Sequence, residues 1–252
     1  VSALCIFLHC RPEPQKELFM LTHAPALDRI GQALERAEHH WHERHHQPQK
    51  ASTPAFTIAL SREVGTPGTS VAHEVGQRLG WTVYDHELVE HIAQQMGVHA
   101  SLLDSIDERG RNWLMQCLEA FGPSLVPESA YTRRLTETFL SLAAHGHCVI
   151  VGRGAANVMP PQTTLRVRLI GNLEDRIAWV SQQRRLTRAK ASEWINTTQR
   201  ERLAFVRKHF FMDAADQHHY HLVLNTSLWT VQQCAELIID ALHRAEQSTN
   251  AA

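Results

Sequence analysis

Apolar and polar residues follow two different rhythms along this chain, and the rhythm changes near residue 55. Before that point Leu27, Ile30, Leu34, Ala37 and Trp41 recur at helical spacing within "ALDRIGQALERAEHHWHERHH". The segment therefore predicts a helix with one narrow apolar stripe. "RPEPQ" precedes it as a breaker, and "QPQKASTP" ends it and reads as a linker. After Ala55, short apolar runs alternate with longer amphipathic stretches. "FTIAL", "WTVYD", "HCVIVGRG", "TLRVRLIG" and "HLVLNT" read as strands. Between the first two, Val71, Val75 and Leu79 line one helical face that stops at Gly80. "HELVEHIAQQMG" predicts a second helix, and the stretch 102–144 is largely helical, interrupted by "FGPSLVPES". An arginine-rich helical stretch follows over 173–210, and "TVQQCAELIIDALHRA" closes the pattern as a helix.

Strands separated by helices too long for hairpins imply a parallel sheet with right-handed crossovers. The expected fold is an α/β three-layer sandwich with a parallel sheet of about five strands. Residues 1–54 form an N-terminal helical extension and linker, and residues 55–252 the main domain. Ligands in such sheets bind at the carboxyl ends of the strands. That directs attention to the loops 61–70, 84–87, 152–154, 171–172 and 225–227. "TLRVRLI" alternates Leu165, Val167 and Leu169 with Arg166 and Arg168, which a strand buried on both faces should not do. The favoured expectation is a partly solvated second face; the alternative is that the arginines line the cleft.

Composition narrows the class. The chain has 252 residues, 43% of them apolar, so a sizeable core can be buried. A formal charge of −1 argues against broad attraction to nucleic acid or to an anionic membrane. Five cysteines without a CxxC pair fit a reducing cytoplasm better than a disulfide framework or a zinc knuckle. "VSALCIFLHC" is short, lacks a basic start and has no A-x-A cleavage pattern, so it does not read as a signal peptide. The expectation is a soluble chain.

The loop "SREVGTPGTS" follows the first strand and opens a helix. Against the phosphate-binding pattern G-x-x-x-x-G-K-[ST], Glu63 stands at the first glycine, Gly68 at the second, Thr69 at the lysine and Ser70 at the magnesium-binding hydroxyl. Two of the four fixed positions survive. Gly65 and Gly68 permit close approach, and the helix start offers free N–H groups and a positive dipole end. Pro67 removes one donor.

"FTIALSREVGTPGTSVAHEVGQRLGWTVYDHELVE" resembles the cytidylate kinase-like family, whose members carry I-S-R-E-Y-G-S-G-G-R-E-I-A followed by Y-D-K-E-L. The likeness continues in "HCVIVGRGAANVM", in "RERLAFVRKHFF" and in "HLVLNTSLWTVQQCAELIIDAL", spanning Ala55 to Leu242 in order. The resemblance implies a P-loop NTPase-like nucleoside monophosphate kinase fold, with ATP phosphates over the first loop. It further implies a nucleotide acceptor between the sheet and a helical flap, and an arginine-bearing helical lid. The family tends to carry arginine where this chain has Thr69, and glutamate where it has Ser70. Thr69 therefore departs from both patterns, and Ser70 is closer to the general one.

The roles implied are these. The backbone of Gly65, Thr66, Gly68 and Thr69 cradles the phosphates of ATP, and Ser70 binds Mg2+. Arg62, shared with the family loop, and Arg202, matching the arginine of the family's K-E-R-A segment, supply the charge that the loop lacks. Arg62 pairing with Glu63 or Glu87 as a brace is the alternative. Arg153, in "VGRG", and Asp85, in "YDHEL", are expected to hold the acceptor; Asp85 also suits a helix N-cap. One of Arg133 and Arg134 is expected to reach the acceptor, and Arg134 is assigned. The function implied is ATP- and Mg2+-dependent phosphorylation of a nucleotide, cytidylate first. A nucleotide-binding regulatory protein without transfer activity is the second reading, because of Thr69. "HERHH", His42 to His46, is a literal H-E-x-x-H, but its histidine-rich surroundings and Pro48 favour a solvated helix end over a zinc peptidase centre.

Overall fold

A computed structural model of the chain describes residues 30–42, 55–120, 129–152 and 154–250. Residues 30–42 form helix α1. The main body then runs β1 (Thr57–Arg62), α2 (Gly68–Leu79), β2 (Thr82–Tyr84), α3 (His86–Gln94), α4 (Met96–Asp104) and α5 (Glu108–Ala120). It continues with α6 (Ala130–His145), β3 (Cys148–Val151), the one-turn α7 (Ala155–Val158) and β4 (Thr164–Ile170). A helical hairpin, α8 (Leu173–Arg184) and α9 (Arg188–Phe210), precedes β5 (Leu222–Asn225) and α10 (Val231–Asn250).

The five strands make one sheet in the order β2-β3-β1-β4-β5, and each neighbouring pair is parallel. Each predicted strand run is present, because each is a β-branched or apolar stretch, and the four other than β1 end at a glycine, an asparagine or an N-cap. β1 is central, flanked by β3 and β4, so its exit loop lies over the middle of the sheet's carboxyl edge. This is the expected three-layer sandwich. One layer packs Ile58, Leu60, Val149, Val167 and Leu169 against Val71 and Val75 of α2 and Ile238 and Leu242 of α10. The other packs Ala59, Ile150 and Tyr84 against Leu88 and Ile92 of α3 and Leu135, Phe139 and Leu142 of α6. Among the described residues, no helix is long and apolar enough to cross a membrane.

The apolar stripe of the first helix is used as its spacing predicts. Ala37 and Trp41 of α1 are fully buried in the same cluster as Tyr84 and Leu88. Trp41 Nε1 donates to the Tyr84 hydroxyl at 2.9 Å, and His40 Nδ1 lies 3.0 Å from the same oxygen. Burial holds the Tyr84 phenol well above its usual range, so it stays protonated and can donate to His40 while accepting from Trp41. His42 is exposed, with Nδ1 2.7 Å from the Glu38 carbonyl, and residues 43–46 of the H-E-x-x-H match lie outside the described residues.

Expectation and structure part at β4. Arg168 is only 4% exposed, so the second face is not solvated there. Its Nη1 donates to the Ala214 carbonyl and to Ser61 Oγ, and its guanidinium lies 5.5 Å from the Tyr220 ring centroid. Arg166 Nη2 donates to the Met159 carbonyl at 2.6 Å. Carbonyl acceptors and an aromatic face replace the water that the alternation suggested.

If α1 is part of this core, Trp41→Ala removes a buried indole and orphans the Tyr84 hydroxyl. Urea unfolding should lose about 3–5 kcal/mol. A variant as stable as the wild type would show that α1 does not dock.

Candidate active site

The loop after β1 is built by its partners. Glu63, where a glycine would stand in the phosphate-binding pattern, has Oε2 accepting from the Gly171 N–H at 3.1 Å and lying 3.6 Å from Arg176 Nε. Arg176 also donates from Nε to the Gly171 carbonyl at 2.9 Å and from Nη1 to the Val64 carbonyl at 3.1 Å. One guanidinium thus ties the exit of β1 to the exit of β4. Gly65 sits against it with φ +91°, where an added Cβ would meet Arg176 Cβ at 2.8 Å and its carbonyl oxygen at 3.0 Å. Only glycine fits both the dihedral and the gap.

Accounting for the loop's N–H groups shows what remains for a ligand. Val64 donates to Gln199 Oε1 of α9 at 2.8 Å, and Thr66 turns back on the Glu63 carbonyl through both its amide (3.4 Å) and its hydroxyl (2.9 Å). Pro67 has none. Gly68, Thr69 and Ser70 open α2, and no side chain caps them. The Thr69 and Ser70 side chains are exposed. An uncapped helix start beside a glycine turn suits an anion. The residues present therefore fit a polyphosphate, and Ser70 offers one hydroxyl to a Mg2+ ion that would otherwise keep water and phosphate ligands.

Arg62 links this loop to a cavity of about 500 Å3. Its aliphatic stem runs along Gly68, 3.0 Å from where a Cβ would stand, and its Nη1 reaches within 2.2 Å of the Cβ position of Gly152, at the end of β3. The cavity lies beneath α9, at the carboxyl ends of β1, β3 and β4. Among the described residues, four arginines from four elements line it: Arg62, Arg168, Arg184 and Arg202. Among the described lining residues Glu201 is the one carboxylate, and it is exposed. Arg184 is held 4.0 Å over the Trp194 ring, a cation–π contact that steadies a guanidinium without neutralising it.

The hairpin closes over this region on its own small core. Val64 of the loop packs with Ile177, Val180, Ala191 and Ile195 of α8 and α9. The far end of α9 is tied to α6, where Thr132 Oγ1 and His209 Nδ1 lie 2.7 Å apart.

The residues expected from sequence fall in different places. Arg62 and Arg202 line the cavity, whereas Gly65, Thr66, Gly68, Thr69 and Ser70 form the adjoining loop. Asp85 caps α3, accepting from Glu87 N at 3.0 Å and Leu88 N at 2.9 Å, and does not line the cavity; the neighbouring His86 does. Arg134 is on α6 and does not line it either. Arg153 lies outside the described residues, between Gly152 and Gly154, which both line the cavity. Sequence reading missed Arg176, Gln199 and Asn157, and took Arg184 as one member of a solvated arginine-rich run. Only Arg184 carried a signal, its place in that run.

Gly152 is the tightest point of this arrangement, with φ +82° and Arg62 against it. Gly152→Ala should push the guanidinium out of the cavity and weaken a phosphate-bearing ligand by roughly tenfold or more, the scale of one charged hydrogen bond. Binding as tight as that of the wild type would show that Arg62 does not serve the cavity.

No curated protein matches the sequence. A solved structure of an uncharacterized protein from Eubacterium ventriosum ATCC 27560 shares the fold, with TM-score 0.58 and 18% identity over 75% of this chain and 98% of that one. Shikimate kinase from Acinetobacter baumannii, solved with shikimate, is a looser likeness, with TM-score 0.42 and 15% identity over 78% of this chain and 98% of that one. The cytidylate kinase-like family matches over residues 57–228, which takes in the loop, the cavity and the hairpin. The chain belongs to the cytidylate kinase-like family.

Proposed function

We propose that this protein is an ATP- and Mg2+-dependent phosphotransferase acting on a nucleoside monophosphate, with cytidylate as the first acceptor to test. The observation that carries the reading is Arg62, which lies along the phosphate loop and ends in the cavity. A donor on one side and an acceptor on the other would meet at its guanidinium.

Phosphoryl transfer asks the protein for alignment and positive charge more than for covalent help. Bound Mg-ATP would supply the transferable phosphoryl group. The amides of Gly65, Gly68, Thr69 and Ser70 would hold the polyphosphate, with Ser70 turned to the metal. Arg202 and Arg184, on the hairpin, would bring cationic charge over the transferring group as the lid closes. Arg168, fixed by Ser61 and Ala214, would present its remaining donors to the acceptor's phosphate. A phosphate acceptor is already ionised at neutral pH and needs no general base, which fits an arginine-lined cavity. Asp85 would act through the start of α3, whose first residue, His86, lines the cavity, and Arg153 is kept as a proposed ligand of the acceptor's phosphate. Nucleic acid and membrane are not proposed partners, and the free thiols of Cys117, Cys148 and Cys234 suit the cytoplasm.

A second reading rests on Thr69, an exposed hydroxyl where an ammonium or guanidinium is usual. In that reading the protein binds nucleotide without transferring phosphate and acts as a regulator.

ADP release from ATP, Mg2+ and a panel of nucleoside monophosphates, measured beside equilibrium binding, separates the two. Turnover with one acceptor is expected, and Arg202→Ala should lower kcat by about a hundredfold or more with a smaller change in KM. Thr69→Lys should tighten ATP. Binding without turnover in both wild type and Thr69→Lys would favour the regulator, and no binding would remove the nucleotide reading.

A further inference from the structure

Among the described residues that line the cavity, Asn157 is the one whose buried side-chain polar atoms lack a partner. It lies in the one-turn α7, within "GRGAAN", and contributes to the cavity wall with Arg62, Arg168 and Arg202. It is 9% exposed, and neither its Nδ2 nor its Oδ1 has a hydrogen-bond partner. Buried side-chain amides are nearly always paired, because an unpaired donor or acceptor has lost its water without compensation. Here both ends of one amide are unpaired at once. The backbone around it is not the cause: Asn157 N donates to the Gly154 carbonyl at 2.9 Å, so α7 is well formed.

We propose that Asn157 is a specificity-determining residue of the acceptor cavity, its amide pairing with the edge of a heterocyclic base. The proposal rests on the nucleotide reading given above. The arginines meet the anionic part of a ligand, but guanidinium groups only donate and cannot read an edge that itself carries a donor. An asparagine amide presents one acceptor beside two donors in a plane, the arrangement used elsewhere to engage a base bidentately. A cytosine offers the complement, its amino group donating to Oδ1 while its ring nitrogen accepts from Nδ2. Short helix α7 follows directly from the end of β3, so the base-reading amide and the Arg62 guanidinium at Gly152 are set by one turn of chain. That turn couples recognition of the base to placement of the phosphate.

The test uses the full chain and two variants, Asn157→Leu, which keeps the volume and removes both polar ends, and Asn157→Asp, which keeps the shape and removes the donors. Kd values are measured for CMP, UMP, AMP and ATP, with thermal unfolding of each ligand-free protein. Expected are a loss of at least tenfold for the preferred monophosphate in Asn157→Leu, a change below twofold for ATP, and a ligand-free midpoint no lower than that of the wild type, since the variant deletes an unpaired buried amide. Asn157→Asp should change the ranking of the three monophosphates, and it decides the matter alone if Asn157→Leu does not fold. Unchanged monophosphate affinity and ranking beside a wild type that binds would overturn the Asn157 assignment and leave the nucleotide reading standing. A lowered midpoint in both variants with ranking intact would overturn it in favour of a structural role. A wild type that binds no monophosphate would overturn the nucleotide reading itself, and this proposal with it.

Discussion

Guanidinium groups brought into one cavity repel each other, and the fold orients two of those lining this one by contacts that leave their charge in place. Arg168 is held by the Ala214 carbonyl, Ser61 and the Tyr220 ring, and Arg184 by the face of Trp194. Arg62 is laid out between two glycines that have no side chain to obstruct it. Contacts of this kind orient a cation and leave its charge available. A cavity lined by Arg62, Arg168, Arg184 and Arg202, with Glu201 also in the lining, has the chemistry to receive a polyanion.

The same constraint explains the division of labour among the loop residues. Arg176 carries the structural load: it pairs with Glu63 and takes the carbonyls of Val64 and Gly171. Glu63 is therefore occupied by Arg176 and by the Gly171 amide. Val64 reports the state of the hairpin to the loop, since its side chain sits in the hairpin's small core and its amide is held by Gln199. Movement of α8 and α9 would therefore be felt at the loop.

The layered sheet was legible in the sequence because its cause is local: five apolar runs, each with its own stop, joined by segments too long for hairpins. The stripe ending at Trp41 was legible for the same reason, and so was the cap at Asp85, whose side chain accepts from Glu87 and Leu88. The site was legible only where residues follow one another along the chain. Arg176 belongs to the loop through a contact made across the exits of two strands, and nothing near it in sequence marks it. Arg168 shows the limit most clearly. Its alternation with Val167 and Leu169 was visible, but whether water or a carbonyl would meet it depends on where the segment after α9 lies. Arg134 looked suitable by its place before the central strand, yet it is not among the residues that line the cavity.

A ligand that joins a nucleoside to ATP's adenosine through a continuous polyphosphate tests the central claim most directly. If loop and cavity form a single cationic track spanned by Arg62, titration should show the joined ligand binding at least about a hundredfold tighter than ATP or the monophosphate alone, as linked occupancy requires. Affinity no better than that of the stronger half would mean that the two regions do not serve one reaction.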